Sequence, residues 1–467
     1  MSQENKSRQE NRRDMMLNGK IHRIIPRLAL PMMVSMLINS FYNMVDTYFV
    51  SKISSEATAA AGVNFSLMSI ITSIGMAFGV GAGSYISRLL GAKRDEEASK
   101  TISTAFVLAI SFGTLLMIFG LIFMKQLVVF MGATPDIIKY SMDYASYILY
   151  AAPIMAGSFV LNQGLRAEGS PLFSMIGMAV GGVINIILDP IFIFVFGWGV
   201  AGASSATALS QLISFLVLLY PYLKKHTLIR LSLKLFSPTK DILTEISKMG
   251  FPTLIRSGLL TVSSIVTNNI AGSFNTYALA AMSIVNRLMM FMGSVLIGFG
   301  QGFQPVAGFN WGAKRYDRVL KAFWFCSIVG VVAMAVLCSI LAIFAPNVMM
   351  AFSDNPDVID LGAFSIRLNC LAMPVHAWVI VINMLFQAMG RGTSAAILSL
   401  SRQGICLIPA VVLMSIIFGV WGLAAAQAVA DFMSMLLAVP MLIKVLREIK
   451  GLMVAAPASE GPKLENA

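Results

Sequence analysis

Apolar runs long enough to cross a bilayer, which takes about 20 residues, recur from one end of this chain to the other. Only 12% of its 467 residues are charged and 57% are hydrophobic, whereas a soluble domain carries about 25% charged residues. The pattern predicts an all-α polytopic membrane protein. A transmembrane barrel would alternate apolar and polar residues over segments of about ten, and no such segments recur. The first 23 residues are polar and charged, and the run after them is too long for a signal-peptide core, so no cleavable leader is read there.

Twelve spans are counted, six within 24–223 and six within 246–446. The remaining parts are an N-terminal tail (1–23), a basic linker (224–245) and a tail (447–467) that reads as disordered from Gly451 onward. Pro31, Pro153, Pro190, Pro252, Pro374 and Pro409 fall inside spans, where neighbouring helices re-satisfy the freed carbonyls and bends result. The net charge of +12 would point to nucleic acid in a soluble protein. Here the basic residues gather in loops on one side: Arg88–Lys100, Lys224–Lys248, Lys314–Lys321 and both tails. The positive-inside rule therefore places both termini in the cytoplasm, and no nucleic-acid partner is expected.

The chain repeats itself. A shift of 221 residues lays Pro31 on Pro252, Pro153 on Pro374, Gly79 on Gly300 and Gly91-Ala92-Lys93-Arg94 on Gly312-Ala313-Lys314-Arg315. With six spans per half, both halves enter from the same side, so the expected architecture is two pseudo-symmetric six-helix lobes around a central cleft.

Polar residues inside the spans carry the chemistry. Asp46 closes the first run, and Asn39, Tyr42 or Asn43, and Asp46 share a helical face. A carboxylate deep in hydrocarbon costs roughly 2.5–3.5 kcal/mol on insertion scales and by default faces a bundle interior or cavity. Asn185 and Asp189, four apart in the fifth span, share a face ahead of Pro190. Ser204, Thr207, Gln211 and Ser214 form a polar stripe on the sixth span, and Thr207 reaches a depth similar to Asp189. These faces converge at one level if packing turns them inward, and two carboxyls with hydroxyl and amide neighbours suit a proton or sodium ion.

The second half is chemically different. Thr267 stands opposite Asp46 and Ala410 opposite Asp189. Asp431 is its one deep acid, and matched depth predicts a structural pair with Arg287. Arg256, Arg367 and Arg402 lie nearer span ends, where such side chains snorkel. Met289 and Met292, beside Phe291, suit a pocket that accepts varied apolar shapes. Gly79-Val80-Gly81-Ala82-Gly83-Ser84 lies inside a span with no strand before it, so it reads as small-residue helix packing. Cys326, Cys338, Cys370 and Cys406 read as small core residues. His22, His226 and His376 are too scattered for a metal or catalytic cluster, and neither cofactor nor metal is expected.

Four stretches together resemble the multidrug and toxic compound extrusion family: Val45-Asp46-Thr47, Arg88-Leu89-Leu90-Gly91-Ala92-Lys93, Leu165-Arg166-Ala167-Glu168-Gly169 and Asn185-Ile186-Ile187-Leu188-Asp189-Pro190. The resemblance covers roughly residues 20–446 and is closest to the bacterial and archaeal branch with an acid pair in the first lobe. It implies a monomeric cell-membrane exporter of drugs, dyes and organic cations, working by alternating access against protons or sodium. By position it carries the coupling role to Asp46, Asn185, Asp189 and Thr207. Asn39, Tyr42, Asn43, Asn162, Gln211, Met289 and Met292 are the candidates for the substrate cleft. Some relatives carry a glutamate early in the seventh span; here Pro252-Thr253-Leu254-Ile255-Arg256-Ser257-Gly258 holds no acid. Three other readings stay open at this point: a flippase for lipid-linked sugars of related architecture, an intramembrane enzyme and an ion channel.

Overall fold

The computed structural model describes residues 3–455, with side chains for all of these except 3–6, 8, 43 and 455. Among the described residues there is no strand. The first half comprises α1 (Gln3–Asn18), α2 (Ile21–Ser51), α3 (Ser55–Gly91), α4 (Asp95–Ile122), the short α5 (Met124–Phe130), α6 (Ile138–Ala167), α7 (Pro171–Pro190) and α8 (Gly199–Leu223). The second comprises α9 (Lys240–Phe274), α10 (Thr276–Gly312), α11 (Tyr316–Ile343), the short α12 (Ala345–Met350), α13 (Pro356–Ala388), α14 (Gly392–Leu400) and α15 (Leu407–Ala455). A π-helical turn follows α7 at Ile191–Val195, and another follows α14 at Ser401–Ile405.

Among the described residues, eleven helical stretches are long and apolar enough to cross a membrane, and the last, Gly392–Val454, runs for 63 residues. It breaks at Gly419, whose φ of 60° and ψ of −139° lie outside the range a side-chain-bearing residue adopts without strain. That break divides it into two crossings, which gives twelve. The final helix continues to Ala455, past the expected span end at 446; residues 456–467 lie outside the described residues.

The 221-residue repeat is a structural one. The starts of α3, α4, α5 and α7 map onto those of α10, α11, α12 and α14 at that offset. The repeated glycine tetrapeptides mark where the halves touch. A Cβ on Gly91 would collide with the Phe309 carbonyl, and one on Gly312 would collide with the Arg88 carbonyl. Phe309 is itself the 221-shifted partner of Arg88, so α3 and α10 cross on the repeat axis with two backbones in contact. Small residues permit that approach, as they do wherever membrane helices pack closely.

Other ties lie on the same, basic side of the protein. Gly298 abuts Met33, Gly250 abuts the Ala77 carbonyl, Arg88 pairs with Glu245 at 2.6 Å, and Ser84 Oγ donates to the Gln387 carbonyl. A further tie between the lobes joins Ser40 Oγ and Ser294 Oγ, 3.2 Å apart, midway along α10. The packing divides at that level. One buried cluster on the basic side mixes both halves, with Ile25, Ile86 and Leu165 beside Ile246, Phe303 and Phe386. Beyond it the core splits into a cluster drawn only from the first lobe and another drawn only from the second. Two lobes joined on the basic side therefore diverge toward the opposite side, which leaves a cleft between them.

The segment 1–23, expected as a tail, instead contains α1, which lies across both lobes. Arg12 Nη1 donates to Glu168 Oε1 at 2.9 Å and Gln9 Nε2 to the Thr227 carbonyl at 2.7 Å. On the other lobe, Asn310 Nδ2 donates to the Met16 carbonyl at 3.1 Å and Arg318 Nη2 to the Gly19 carbonyl at 2.7 Å. Burial pushes the Glu168 carboxyl above the usual range, opposed by the neighbouring Arg12 guanidinium.

The expected Asp431–Arg287 pair does not form. Arg287 is exposed, and Asp431 Oδ1 instead accepts from Arg402 Nε at 2.6 Å and from Gln427 Nε2 at 3.4 Å. An expected match in depth does not fix a partner: Arg287 leaves its side chain exposed on α10. Arg402 occupies the π-helical turn, which faces α9, where Ser263 Oγ donates to the Gln403 carbonyl. It is thus held inside the lobe rather than snorkelling to a span end. All four cysteines are free and buried, as small core residues should be.

Two measurements check this packing. Gly91→Val should lower stability by roughly 1–3 kcal/mol through overpacking, read as a lower Tm in detergent, while Gly293→Ala, with nothing within 4 Å of its added Cβ, should not lower it. Asp431→Asn should cost about 3 kcal/mol by stranding Arg402, and the double variant Arg402→Leu/Asp431→Leu should recover much of that loss.

Candidate functional site

The acids come together. Asp46 lies near the far end of α2, beyond Ser40 and hence in the half where the lobes have parted. Its side chain is half-buried. Asp189, the penultimate residue of α7, is fully buried. The two carboxyls stand within hydrogen-bonding range of each other. Asn185 is one turn earlier on α7, and its Nδ2 donates to Asp189 Oδ1 at 3.0 Å and to Thr207 Oγ1 at 3.2 Å. All four residues that the sequence marks for ion coupling thus form one constellation, built from α2, α7 and α8.

Local structure explains why α7 presents its acid there. Pro190 has no N–H to give to the preceding turn, and the helix widens into the π-helical turn immediately after it. Such turns recur at functional sites. On the opposite flank Gly182 lets α2 come close, since a Cβ there would sit 3.3 Å from Ile38 and 3.5 Å from Tyr42.

Three buried acceptors at the site find no donor among the described residues: Asp46 Oδ1, Asp189 Oδ2 and Asn185 Oδ1. Carboxylates facing each other repel, and an unmatched buried acceptor is costly. A proton or a small hard cation relieves both. Oxygen donors from carboxyl, amide and hydroxyl groups suit such a cation by their hardness.

Tyr144 on α6 completes the chamber. It is 2% exposed, and its hydroxyl stands within hydrogen-bonding range of Thr207 and near Asp46, Asp189 and Tyr42. Sequence reasoning passed over it, because a tyrosine in an apolar span reads as an interfacial anchor. The available signal was its helical spacing with Ser141, Ala145 and Ile148, all of them buried.

The substrate-cleft candidates scatter. Asn39 and Tyr42 are half-buried on α2, and Gln211 is half-buried on α8, one turn from Thr207. The Asn43 side chain lies outside the described residues. Asn162 is not at the acids. Its Nδ2 donates to the Ser174 carbonyl at 3.3 Å, on the basic side, and eighteen residues of α6 separate it from Tyr144, about 27 Å along the axis at 1.5 Å per residue. The fourth-span side chain at the acid pair is Tyr144, and Asn162 is corrected to a helix-packing role. Met289 and Met292 are half-buried and pack on the second lobe's own core. Met290 between them is 71% exposed.

Comparison with known proteins agrees with this architecture. The MatE family model matches residues 31–191 and again 252–413, two copies whose starts differ by the internal repeat. The multidrug export protein MepA of Staphylococcus aureus (strain MSSA476) is 30% identical over 426 residues, covering 89% of this chain and 93% of the relative. MepA of Staphylococcus saprophyticus is 28% identical over 418 residues, covering 88% and 91%. A solved structure described as the outward-facing conformation of a multidrug resistance MATE family transporter of the MOP superfamily superposes with a TM-score of 0.87 at 25% identity, covering 94% of this chain and 98% of that one. A MOP superfamily transporter from Pyrococcus furiosus, described as having a binding pocket of reverse polarity, gives 0.86 at 25% identity with the same coverage. With the family model matched in both lobes and a relative at 30% identity along nearly its whole length, this chain is a multi-pass membrane protein that belongs to the MatE (MATE) family of transporters.

Proposed function

We propose that this chain is a secondary active multidrug exporter of the cell membrane, exchanging organic cations and amphipathic drugs for protons or sodium. In this reading the basic side is cytoplasmic, as positive loops require. Residues 24–223 and 246–446 are the two lobes, and 224–245 is the cytoplasmic linker between them. The lobes and the cleft are complete within one chain, so it works as a monomer.

One observation carries the proposal: two carboxyls within hydrogen-bonding range in the lobe half that borders the cleft. With the cytoplasmic side closed by the glycine crossing of α3 and α10, the cleft opens outward. An external proton or sodium ion enters and settles between Asp46 and Asp189, while the Asn185 amide and the Thr207 and Tyr144 hydroxyls orient the carboxyls. Loading the pair cancels the negative field that held a cationic drug, and the drug leaves outward. Return through the inward-open state releases the ion to the cytoplasm, restores the charge and recruits the next drug. Ion and drug bias the same two-state element in opposite directions, which is the thermodynamic requirement for exchange. The names of the curated relatives, multidrug export proteins, support the cargo class.

Purified protein in proteoliposomes, loaded with ethidium and given a pH gradient and a sodium gradient separately, tests this reading. At least one gradient should drive efflux. Asp46→Asn and Asp189→Asn should each abolish gradient-driven efflux with Tm retained, because the isosteric amide keeps the packing and loses the titrating charge. Wild-type efflux by Asp46→Asn would remove the mechanism.

A further inference from the structure

A cavity of about 20 Å³ lies between the lobes on the basic side, just inside the glycine crossing of α3 and α10. That exceeds the roughly 10–15 Å³ that one water needs. It falls far short of the roughly 300–1,000 Å³ of a pocket for an organic ligand. Ser84 and Ser87 line it from α3, Gln163 and Arg166 from α6, and Gln301 and Gln304 from α10. The first lobe thus supplies two walls and the second lobe supplies the third.

Arg166 is 5% exposed, and no carboxylate pairs with it among the described residues. The acid two positions on, Glu168, is taken by Arg12. Neutral groups occupy three of its five guanidinium donors. Nε donates to Ser174 Oγ at 3.0 Å, Nη1 to Gln301 Oε1, and Nη2 to Met178 Sδ at 3.3 Å. One N–H on each Nη is left over. Arg166 sits in the last turn of α6, where helix carbonyls favour a cation. Neither those carbonyls nor the neutral acceptors cancel its charge, and a buried charge without a counter-charge is strongly unfavourable.

The rest of the lining points the same way. Gln301 gives its oxygen to Arg166, and its Nε2 has no acceptor among the described residues. The Gln163 side chain makes no hydrogen bond among them. The serine hydroxyls are already used: Ser84 Oγ donates to the Gln387 carbonyl and Ser87 Oγ to the Ser84 carbonyl. The cavity therefore offers free N–H donors from both lobes, one positive charge and no acid.

We propose that this cavity binds one small inorganic anion of chloride size, held by the Arg166 guanidinium of the first lobe and the Gln301 amide of the second, and that the bound ion locks the basic side shut. Hydrogen bonds from a charged donor are the strong ones, and the volume excludes a lipid phosphate or an organic acid. The walls belong to both lobes, so the site is complete only while they are together on this side. An anion that binds one state alone raises the population of that state. The lock rests on the export reading, in which the lobes part here; the binding does not.

Thermal unfolding of the full chain in non-ionic detergent tests the binding without drug or transport. Potassium chloride is exchanged for potassium gluconate at constant ionic strength. The wild-type Tm should rise in chloride by about 2 °C and then saturate, and bromide should replace chloride. Arg166→Gln should lose the rise, and Arg166→Lys should keep part of it. Should Arg166→Gln not fold, Gln301→Leu decides, with chloride needed at about tenfold higher concentration for the same rise. The lock is read from spin labels on Lys100→Cys and Lys321→Cys, at exposed positions near the basic-side ends of α4 and α11, the four native cysteines being buried. Chloride should enrich the shorter inter-lobe distance, and Arg166→Gln should not respond. No chloride-dependent rise in the wild type, or a rise that Arg166→Gln keeps, would overturn the site and leave export standing. A saturating rise with distances indifferent to chloride would overturn the lock. Protein that binds chloride and closes, yet moves no dye in proteoliposomes, would remove the export reading and leave the site.

Discussion

Two carboxyls held within hydrogen-bonding range, in a protein that spans a bilayer, are unstable by themselves. Their mutual repulsion is weakly screened there, and the cost of an unmatched buried charge is high. The pair persists only if something positive is shared between them, and that need shapes the first lobe. Gly182 brings α2 against α7, and Pro190 with its π-helical turn ends α7 at the depth of the acid. Asn185 ties Asp189 to Thr207, while Tyr144 reaches the same hydroxyl from α6. In the proposed cycle a proton or sodium ion shared by these carboxyls is what links ion binding to cargo binding.

In the proposed cycle the symmetric features serve the movement and the asymmetric ones the chemistry. The backbones of α3 and α10 meet at Gly91 and Gly312 on the repeat axis, in a contact that each half contributes equally. Where the first lobe packs Gly181 against Ser210 and Ser214, the 221-shifted positions in the second hold Arg402 against Asp431. The same helix crossing thus passes from small residues to a salt bridge. Among the described residues each lobe has one π-helical turn, at non-equivalent positions, and each adjoins its lobe's buried acid. One scaffold therefore holds an acid pair in one lobe and an arginine–aspartate pair in the other.

Much of this was legible in the residue order because hydrocarbon is an unforgiving solvent. Polar side chains inside apolar spans are few, and helical spacing alone puts Asn185 on the face of Asp189. Hydropathy separated the twelve crossings, and the glycine tetrapeptides betrayed the repeat. Other features depend on quantities that hydropathy does not encode. Depth alone paired Asp431 with Arg287, but which face of α10 carries Arg287 is set by tertiary packing, and the partner is Arg402. The helix α1 is polar and finds its anchors largely in carbonyls and loops of both lobes, so it read as a tail. The short helices α5 and α12 fell below the length that marks a crossing, although they too obey the repeat. Tyr144 hid because its ring satisfies the apolar pattern while its hydroxyl lies beside Thr207.

The central claim is that one site in the first lobe holds either the coupling ion or the influence that retains cargo, and not both. Counting ions released as cargo binds measures this most directly. Ethidium is titrated into purified protein in weakly buffered, low-salt detergent solution, and again in the presence of sodium, with released protons and sodium followed by electrodes. The account predicts that bound dye expels a proton or a sodium ion and that the release vanishes in Asp189→Asn. Dye binding that proceeds with no ion released, at an affinity indifferent to both pH and sodium while both acids are intact, would contradict it.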